Sequence, residues 1–387
     1  MGGRSKVAIC GIGETNIGKF PGVSSLQNHA IATKLALEDA GLSKTDIDGV
    51  LTVGSLVENW PHHSGAVSEY LGIKPKYTNT MTQGGAGCCT MIQNAEMLIN
   101  EGVCETVLCI GADNQLSGMT RELAIEAFAK NRHPQFEYPL GLSTPAAYAL
   151  IAQRHSHEYG TSRETLSKIA VTSRNHAILN PKAQLRDPLT LNEAINSKEI
   201  APPLHLTDCC ISSDGGGAVI VTSLERARDL RQLPIQLMGS GNGFSHEHIC
   251  YSSNLLTNGV IQSGRTAFAQ ANLTPQDIDI ALLYDCFTIS VILQLEDYGF
   301  CEKGNADEFI SNGRIELGGQ LPLNTHGGLL AYGNPGLSGG IFHIIEAVNQ
   351  LRNTCNDRQV AGAKVALVSG IGGIMSYAST IILEACK

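Results

Sequence analysis

The spacing of apolar residues predicts alternating strands and helices over the first part of the chain. Lys6–Ile12 is β-rich and is closed by Gly11 and Gly13. Leu26, Ala30, Leu35, Leu37 and Ala40 recur at helical spacing, and Gly41 stops the run. Asp48–Val53 reads as the next strand, Ser64–Leu71 as a short helix ending at Gly72, and Glu105–Ile110 as a buried strand. This alternation predicts a mostly parallel sheet covered on both faces. Just before the last strand lies Thr82–Ala95, TQGGAGCCTMIQNA, a glycine-rich turn opening an apolar helix that runs to about Asn100. Gly84, Gly85 and Gly87 allow a sharp bend and the close approach of a ligand. Cys88 and Cys89 fall in the first turns, where free N–H groups and the helix dipole lower a thiol's pKa. Nucleophile turns of acyl-transfer enzymes are built this way. The alternative is a packing corner holding two inert thiols.

The pattern changes from Gly111 to about Thr207. Polar helices at Pro145–Glu158 and Ser162–Leu179, with connections at Pro181, Pro188 and Pro202–Pro203, read as a long insertion that leaves the sheet and covers a site. The chain returns at Ser213-Asp214-Gly215-Gly216-Gly217 and the strand Ala218–Thr222, where three glycines imply close backbone packing. A second half starts near Leu233 and repeats the first. Ala40, Leu42, Asp46, Ile47 and Asp48 match Ala271, Leu273, Asp277, Ile278 and Asp279 at a single offset. Each copy is a helix end, a loop and a strand, which indicates a duplicated α/β half. After the second copy come Ile280–Phe287 (IALLYDCF), the glycine-rich loop Asn324–Gly340 (NTHGGLLAYGNPGLSGG) and a helix over Ile341–Leu351. The strands Ala363–Ser369 and Ser379–Leu383 flank Gly370-Ile371-Gly372-Gly373. Polar groups at strand ends beside glycine loops are where α/β folds place ligand chemistry.

Composition narrows the function. A net charge of −9 with scattered basic residues excludes a nucleic-acid partner. No continuous apolar stretch is long enough to span a membrane, and the first residues lack a signal-peptide core, so a cytoplasmic protein is expected. Lys6 stands where the N-myristoylation pattern requires Ser or Thr. The 12 cysteines are expected to be mostly reduced core thiols. With no CxxC pair, no metal site is expected.

The nucleophile-turn helix, Ser213–Gly216, Tyr284–Phe287, Asn324–Gly340 and the Gly-x-Gly-Gly at 370–373, in this order, resemble the thiolase superfamily over essentially the whole chain. The nearest branch is the sterol-carrier-protein or lipid-transfer type, including partner-dependent forms such as benzoylsuccinyl-CoA thiolases. The resemblance implies the α/β thiolase fold: a duplicated five-layered αβαβα with an inserted loop domain. The halves would be 1–230, with the insertion at about 111–207, and 231–387. It further implies a homodimer, acyl-CoA substrates, CoA as co-substrate with no covalently bound cofactor, and a small zinc-ribbon/OB-fold subunit that binds acyl-CoA.

The departures from the family pattern concern the chemistry. The cysteine of the Cys-x-Ser-Gly turn falls at Gly85, so Cys88 or Cys89 would have to act from one turn deeper. The branch motif His-Asp-Cys-Phe here begins with Tyr284 and keeps Asp285, Cys286 and Phe287. The Gly-His-Pro motif is Gly333-Asn334-Pro335. Tyr284 and Asn334 can donate hydrogen bonds to an oxyanion, and Cys286 can move a proton at the α-carbon. His326 and Tyr332 are the other acid/base-capable groups of that loop, with Tyr332 and Ser213 expected to bind substrate. Gly85 and Gly372 supply the backbone turns around the oxyanion. Asp285 is expected to brace backbone, and Cys209 and Cys210 to be structural.

Three functions fit these residues. The favoured one is a thiolase-like acyltransferase cleaving or forming a C–C bond in a 3-oxoacyl-CoA, because two cysteines remain in the nucleophile turn. The second is a retro-aldol lyase on a 3-hydroxyacyl-CoA without a covalent acyl-enzyme. Some thiolase-like proteins that lack the cysteine work this way, using tyrosines. The third is a non-catalytic acyl-CoA- or lipid-binding subunit.

Overall fold

In the computed structural model, which describes residues 6–58 and 60–386, the predicted alternation is present and the sheet is larger than its signals in the sequence. Met1–Ser5, where the acylation pattern begins, lie outside the described residues. The first half runs β1 (Val7–Glu14), α1 (Ser25–Ala40), β2 (Gly49–Val53), α2 (His63–Leu71), β3 (Tyr77–Met81), α3 (Gly87–Asn100) and β4 (Thr106–Asn114). The inserted region carries α4 (Arg121–Ala129), α5 (Thr144–Tyr159) and α6 (Arg163–Ile178), and the chain rejoins the sheet at β5 (Asp214–Ser223). The second half runs β6 (Ile235–Phe244), α7 (Val260–Ala271), β7 (Ile280–Leu282), α8 (Thr288–Asp297), α9 (Gly340–Leu351), β8 (Val365–Gly372) and β9 (Tyr377–Ala385). The strands form one sheet in the order β3-β2-β4-β5-β1-β6-β9-β8-β7.

The halves repeat strand for strand. In the first, β1 pairs antiparallel with β5, β5 antiparallel with β4, and β4 parallel with β2. In the second, β6, β9, β8 and β7 follow the same senses. The matched residues explain why the motif recurs. α1 ends on Gly41 and α7 on Asn272, both left-handed, with φ of 72° and 56°. Asp46 and Asp277 then accept the backbone N–H of Ser43 and Thr274, capping equivalent short turns. Asp48 takes the N–H groups of Glu105 and Thr106 at the start of β4. Asp279 does the same for Lys364 and Val365 at the start of β8.

Alternation along the strands sorts side chains into layers. Val107 and Cys109 of β4, Val219 and Val221 of β5, Val368 of β8 and Ile381 of β9 share one core with Met91 and Ile92 of α3 and with Ile341 and Phe342 of α9. Leu108, Ile110, Ala218 and Ile220 face the other way, onto Ala32 and Ala36 of α1. Leu367 and Ile382 face α7 and α8. Thus α3 and α9 lie between the half-sheets, with helices outside both, which is the five-layered arrangement that the resemblance implies. No helix among the described residues is long and apolar enough to cross a membrane.

Three expectations change. The sheet is mixed, because β5 and β9 each enter antiparallel to both neighbours. Edge strand β3 has no counterpart in the predicted elements: its sequence YTNTM is polar and its first residues are exposed, so it carries no apolar signal. The expected strand Ile280–Phe287 stops at Leu282. Beyond it the Asn324 side chain stands in for a strand, accepting from Leu283 N at 2.8 Å and donating to Leu283 O at 2.9 Å.

Helix α7 crosses β6 so closely that a methyl at Gly241 would overlap the Ser263 carbonyl. Gly241→Ala is expected to cost about 1–3 kcal/mol through overpacking. Gly65→Ala in α2, where the nearest atom would be His62 Cβ at 3.8 Å, is expected to gain about 0.5–1 kcal/mol. Denaturant midpoints of the two variants against the native chain check both signs.

Candidate active site

The glycine turns before α3 and after β8 touch: a Cβ on Gly84 would lie 3.1 Å from the Gly372 Cα. A cavity of about 1310 Å³ opens beside them. Gly85, Tyr284, Cys286, Asn334 and Gly372 all line it, so the fold brings these expected site residues together. Tyr284 is held by α8, whose Gln294 accepts from Tyr284 N and donates to Tyr284 O at 2.9 Å, while Ser290 Oγ donates to the same carbonyl. Asp285 accepts the N–H groups of Leu329 and Leu330, bracing the loop beyond. Ser213 Oγ donates to Gln184 and accepts from Asn334 N, so this loop too is fixed from behind.

Position 85 lines the cavity directly against Tyr284. A methyl on Gly85 would overlap both Cζ and the hydroxyl oxygen of Tyr284. The phenol therefore fills the space that a side chain at 85 would need. It is 6% exposed. Burial, reinforced by the neighbouring Cys286 and Cys210, raises the Tyr284 pKa well above the phenol range, so the group is a proton donor and not a phenolate.

Two further side chains complete the cluster. Tyr148 of α5 lines the cavity, stacks on Phe287 with ring centroids 4.3 Å apart, and interacts with the Cys286 thiol. Burial pushes the Cys286 thiol up to about 11, and the Tyr148 contact opposes that rise. Burial and Cys286 also raise Tyr148 well above its ordinary value. Arg132 reaches the cavity wall from the insertion, held by Leu142 O and Thr144 Oγ1, and Lys130 lies beside it. Neither Tyr148 nor Arg132 is among the residues that the sequence singles out. The available signals were an aromatic one turn into a helix that starts with Pro145, and the basic pair Lys130 and Arg132.

Other expected residues lie elsewhere. Cys88 and Cys89 are fully buried and do not line the cavity; their thiols face the carbonyls of Ser338 and Val368. Burial raises Cys88 to about 12 and Cys89 well above its ordinary value, the reverse of the expected helix-terminus effect. Desolvation in the central layer outweighs the dipole. Tyr332 is buried away from the cavity with its hydroxyl on Glu14 at 2.7 Å. His326 is buried between Tyr332 and His343, with burial pushing its pKa well below the imidazole range. Ser213 is fully buried behind Asn334 and does not line the cavity. Cys209 and Cys210, expected to be structural, do line it, and Cys210 Sγ accepts from Asn334 Nδ2 at 3.3 Å.

The chain matches the thiolase N-terminal domain family over residues 7–202 and the thiolase C-terminal domain-like family over residues 241–385. It is 40% identical over 386 residues to a 17-hydroxy-3-oxo-4-pregnene-20-carboxyl-CoA lyase of Mycobacterium tuberculosis, covering 95% of this chain and 97% of that protein. It is 39% identical over 381 residues to a steroid side-chain-cleaving aldolase of Thermomonospora curvata, covering 94% and 95%. Among solved structures, the Ltp2-ChsH2(DUF35) aldolase superposes with a TM-score of 0.87 at 37% identity, covering 99% of this chain and 98% of that one.

Overlap at position 85 makes the two residues interdependent. Gly85→Ala is expected to cost about 1–3 kcal/mol with Tyr284 present. The cost is expected to fall to within about 0.5 kcal/mol once Tyr284→Ala removes the ring. A double-mutant cycle by denaturant unfolding checks this; equal costs in both backgrounds would contradict the packing described.

Proposed function

The chain belongs to the thiolase family, and from that premise we propose that it is a carbon–carbon lyase that splits a 3-hydroxyacyl-CoA by retro-aldol cleavage. The observation that carries this reading is the Tyr284 phenol lying over Gly85, the position where the family resemblance places the nucleophilic cysteine. An acyl-enzyme needs a thiolate in contact with substrate. Cys88 and Cys89 are sealed between the half-sheets and do not line the cavity, so neither thiol is in contact with a substrate there, as the expected acyl-transfer route requires. The names of the two relatives reported above, a lyase and an aldolase, support the same choice.

In this mechanism the C2–C3 bond breaks and its electron pair moves into the thioester as an enolate. Tyr284 donates a hydrogen bond to the developing oxyanion, with the second N–H of Asn334 Nδ2 available beside it. The 3-hydroxyl proton passes to the Tyr148 oxygen as the Tyr148 proton passes to Cys286. The Cys286 proton goes to C2. A ketone or aldehyde leaves, and the shortened acyl-CoA remains. Each group gains one proton and loses one, so no buried charge is left behind. Neutral relays suit a site where burial raises every acid. Arg132 and Lys130 are placed to meet the CoA phosphates, with CoA entering as part of the substrate.

The partners in this reading are a second copy of the chain and a small zinc-ribbon/OB-fold subunit that helps bind the acyl-CoA. The support for a second subunit is that the solved Ltp2 structure is an assembly with ChsH2.

The test is product analysis with a 3-hydroxyacyl-CoA panel, any co-purifying small subunit present, and intact-mass measurement after acid quench. Ketone or aldehyde release without a protein adduct is expected, and Cys88→Ala and Cys89→Ala should keep activity. An acyl adduct on either cysteine would overturn the reading. Tyr284→Phe, Tyr148→Phe and Cys286→Ala are expected to lower kcat by about 100-fold or more. Because Cys286 must be protonated to act and its pKa is raised to about 11, kcat/KM should be flat through neutral and mildly alkaline pH. It should fall only as pH nears that value, whereas a thiolate-dependent enzyme would gain activity as pH rises through the thiol's pKa.

A further inference from the structure

In the mechanism above two side chains move protons, Cys286 and Tyr148, and neither leads to a base. The Cys286 thiol donates to Ser290 Oγ at 3.9 Å, and Ser290 directs its one proton at the carbonyls of Tyr284 and Phe287, at 2.9 and 2.6 Å. The Tyr148 hydroxyl donates to the Gly373 carbonyl at 3.3 Å. A peptide carbonyl accepts a hydrogen bond but does not carry a proton away. Burial keeps the neighbouring Cys209 and Cys210 thiols protonated as well.

The ionisable groups around the cavity are engaged elsewhere. Glu247, the one carboxylate lining it among the described residues, bonds to the Tyr377 hydroxyl. Asp285 is fully buried and turned onto the N–H groups of Leu329 and Leu330. His62 and His63 stand at the start of α2 in the first half, whereas the groups acting on Cys286 are Tyr148, Ser290, Asp285 and Phe287. A proton taken from C2 of an acyl-CoA therefore has one outlet, a carbonyl oxygen bound beside Tyr148. The cavity, at about 1310 Å³, has room for that second molecule, since one drug-sized ligand occupies about 300–1,000 Å³.

We infer that the site is a closed proton circuit: it removes a C2 proton from an acyl-CoA only when a ketone or aldehyde is bound beside it, and it then joins the two. The inference rests on the lyase reading above, and adds to it a synthetic activity in which enolisation depends on the second substrate. The C2 proton passes to the Cys286 sulfur, the Cys286 proton to the Tyr148 oxygen, and the Tyr148 proton to the carbonyl oxygen. The electron pair left on C2 forms the C2–C3 bond, and the carbonyl π pair becomes the O–H bond of the new 3-hydroxyl. Every group ends with the proton count it began with, and no oxidant, reductant or water is consumed. Without the carbonyl compound the same transfer would leave an extra proton on the relay, a charge stranded in a buried site.

The probes are the acyl-CoA and the ketone or aldehyde that the protein itself releases from a 3-hydroxyacyl-CoA of the panel above. They are incubated with the native protein and any co-purifying subunit in D2O near neutral pH, and read by mass spectrometry. With acyl-CoA alone, C2 should keep its protons as in a protein-free blank. With the carbonyl compound added, the 3-hydroxyacyl-CoA should form, and deuterium should enter C2 about 100-fold faster or more. It enters because an adduct that leaves and is cleaved again takes its C2 proton from a thiol that has exchanged with solvent. Tyr148→Phe should lose joining and cleavage in equal proportion; if that variant does not fold, the native comparison decides. Deuterium entering C2 from acyl-CoA alone at a comparable rate would reveal a base open to solvent and overturn the inference. So would the absence of both adduct and exchange when the two substrates are present and cleavage proceeds. If no 3-hydroxyacyl-CoA is cleaved, the lyase reading beneath the inference fails instead.

Discussion

Burial of α3 and α9 between the two half-sheets is the constraint on which the rest of the structure depends. Nearly every residue of α9 from Gly340 to Leu351 is buried, and α3 is buried from Gly87 to Gln93. A helix enclosed on several sides must be apolar almost all round, and the turn that leads into it must pass between packed strands. Glycines supply that passage at Gly84, Gly85 and Gly340. The cavity forms where the entry to α3 meets the end of β8, so the duplicated architecture itself places the site at the junction of the halves.

That position dictates the chemistry available. An acid in the central layer loses hydration, and desolvation raises its pKa more than a helix terminus can lower it. Cys88 and Cys89, at the start of α3, are therefore thiols in a dry interior. Tyr284, Tyr148 and Cys286 are likewise protonated, yet they face the cavity. A site of neutral donors that exchange protons without accumulating charge is a natural product of this environment. Gly85 and Tyr284 form one steric unit, since the ring takes the volume a side chain at 85 would occupy. The absence of a cysteine at 85 and the presence of a tyrosine at 284 are in that sense one structural feature, not two separate changes.

The insertion contributes the rest of the wall. Its helix α5 brings Tyr148 against Phe287 and Cys286, and its residues Lys130 and Arg132 bring positive charge to the cavity. The segment at Cys209 and Cys210 lies alongside Cys286 and Phe287, through a backbone bond from Cys210 N to Cys286 O at 2.9 Å and a bridge between Cys209 and Phe287. Segments distant in the chain thus meet around one thiol.

Periodicity and repetition made much of this legible in advance. The apolar spacing of α1, the glycine turn into α3 and the A-x-L…D-I-D repeat each reflect local physics: a buried stripe, a tight bend, a capped turn. Motif order carried the family, and with it the thiolase fold. Those motifs mark Gly85, Tyr284, Cys286, Asn334 and Gly372 as site residues, and the fold gathers them at one cavity. Edge strand β3 was invisible because an exposed polar strand leaves no apolar pattern. The direction in which Cys88, Cys89, Tyr332 and His326 point was equally out of reach. Each sits in or beside a chemically suggestive turn, and whether it meets solvent or core depends on which distant element covers it. Tyr148 and Arg132 entered the site the same way. The sequence by itself determined which faces are buried and where the chain turns, because those follow from neighbours a few residues apart. Only the tertiary structure decided which side chains share the cavity, because that depends on contacts between residues far apart in the chain, as Gly85 and Tyr284 are.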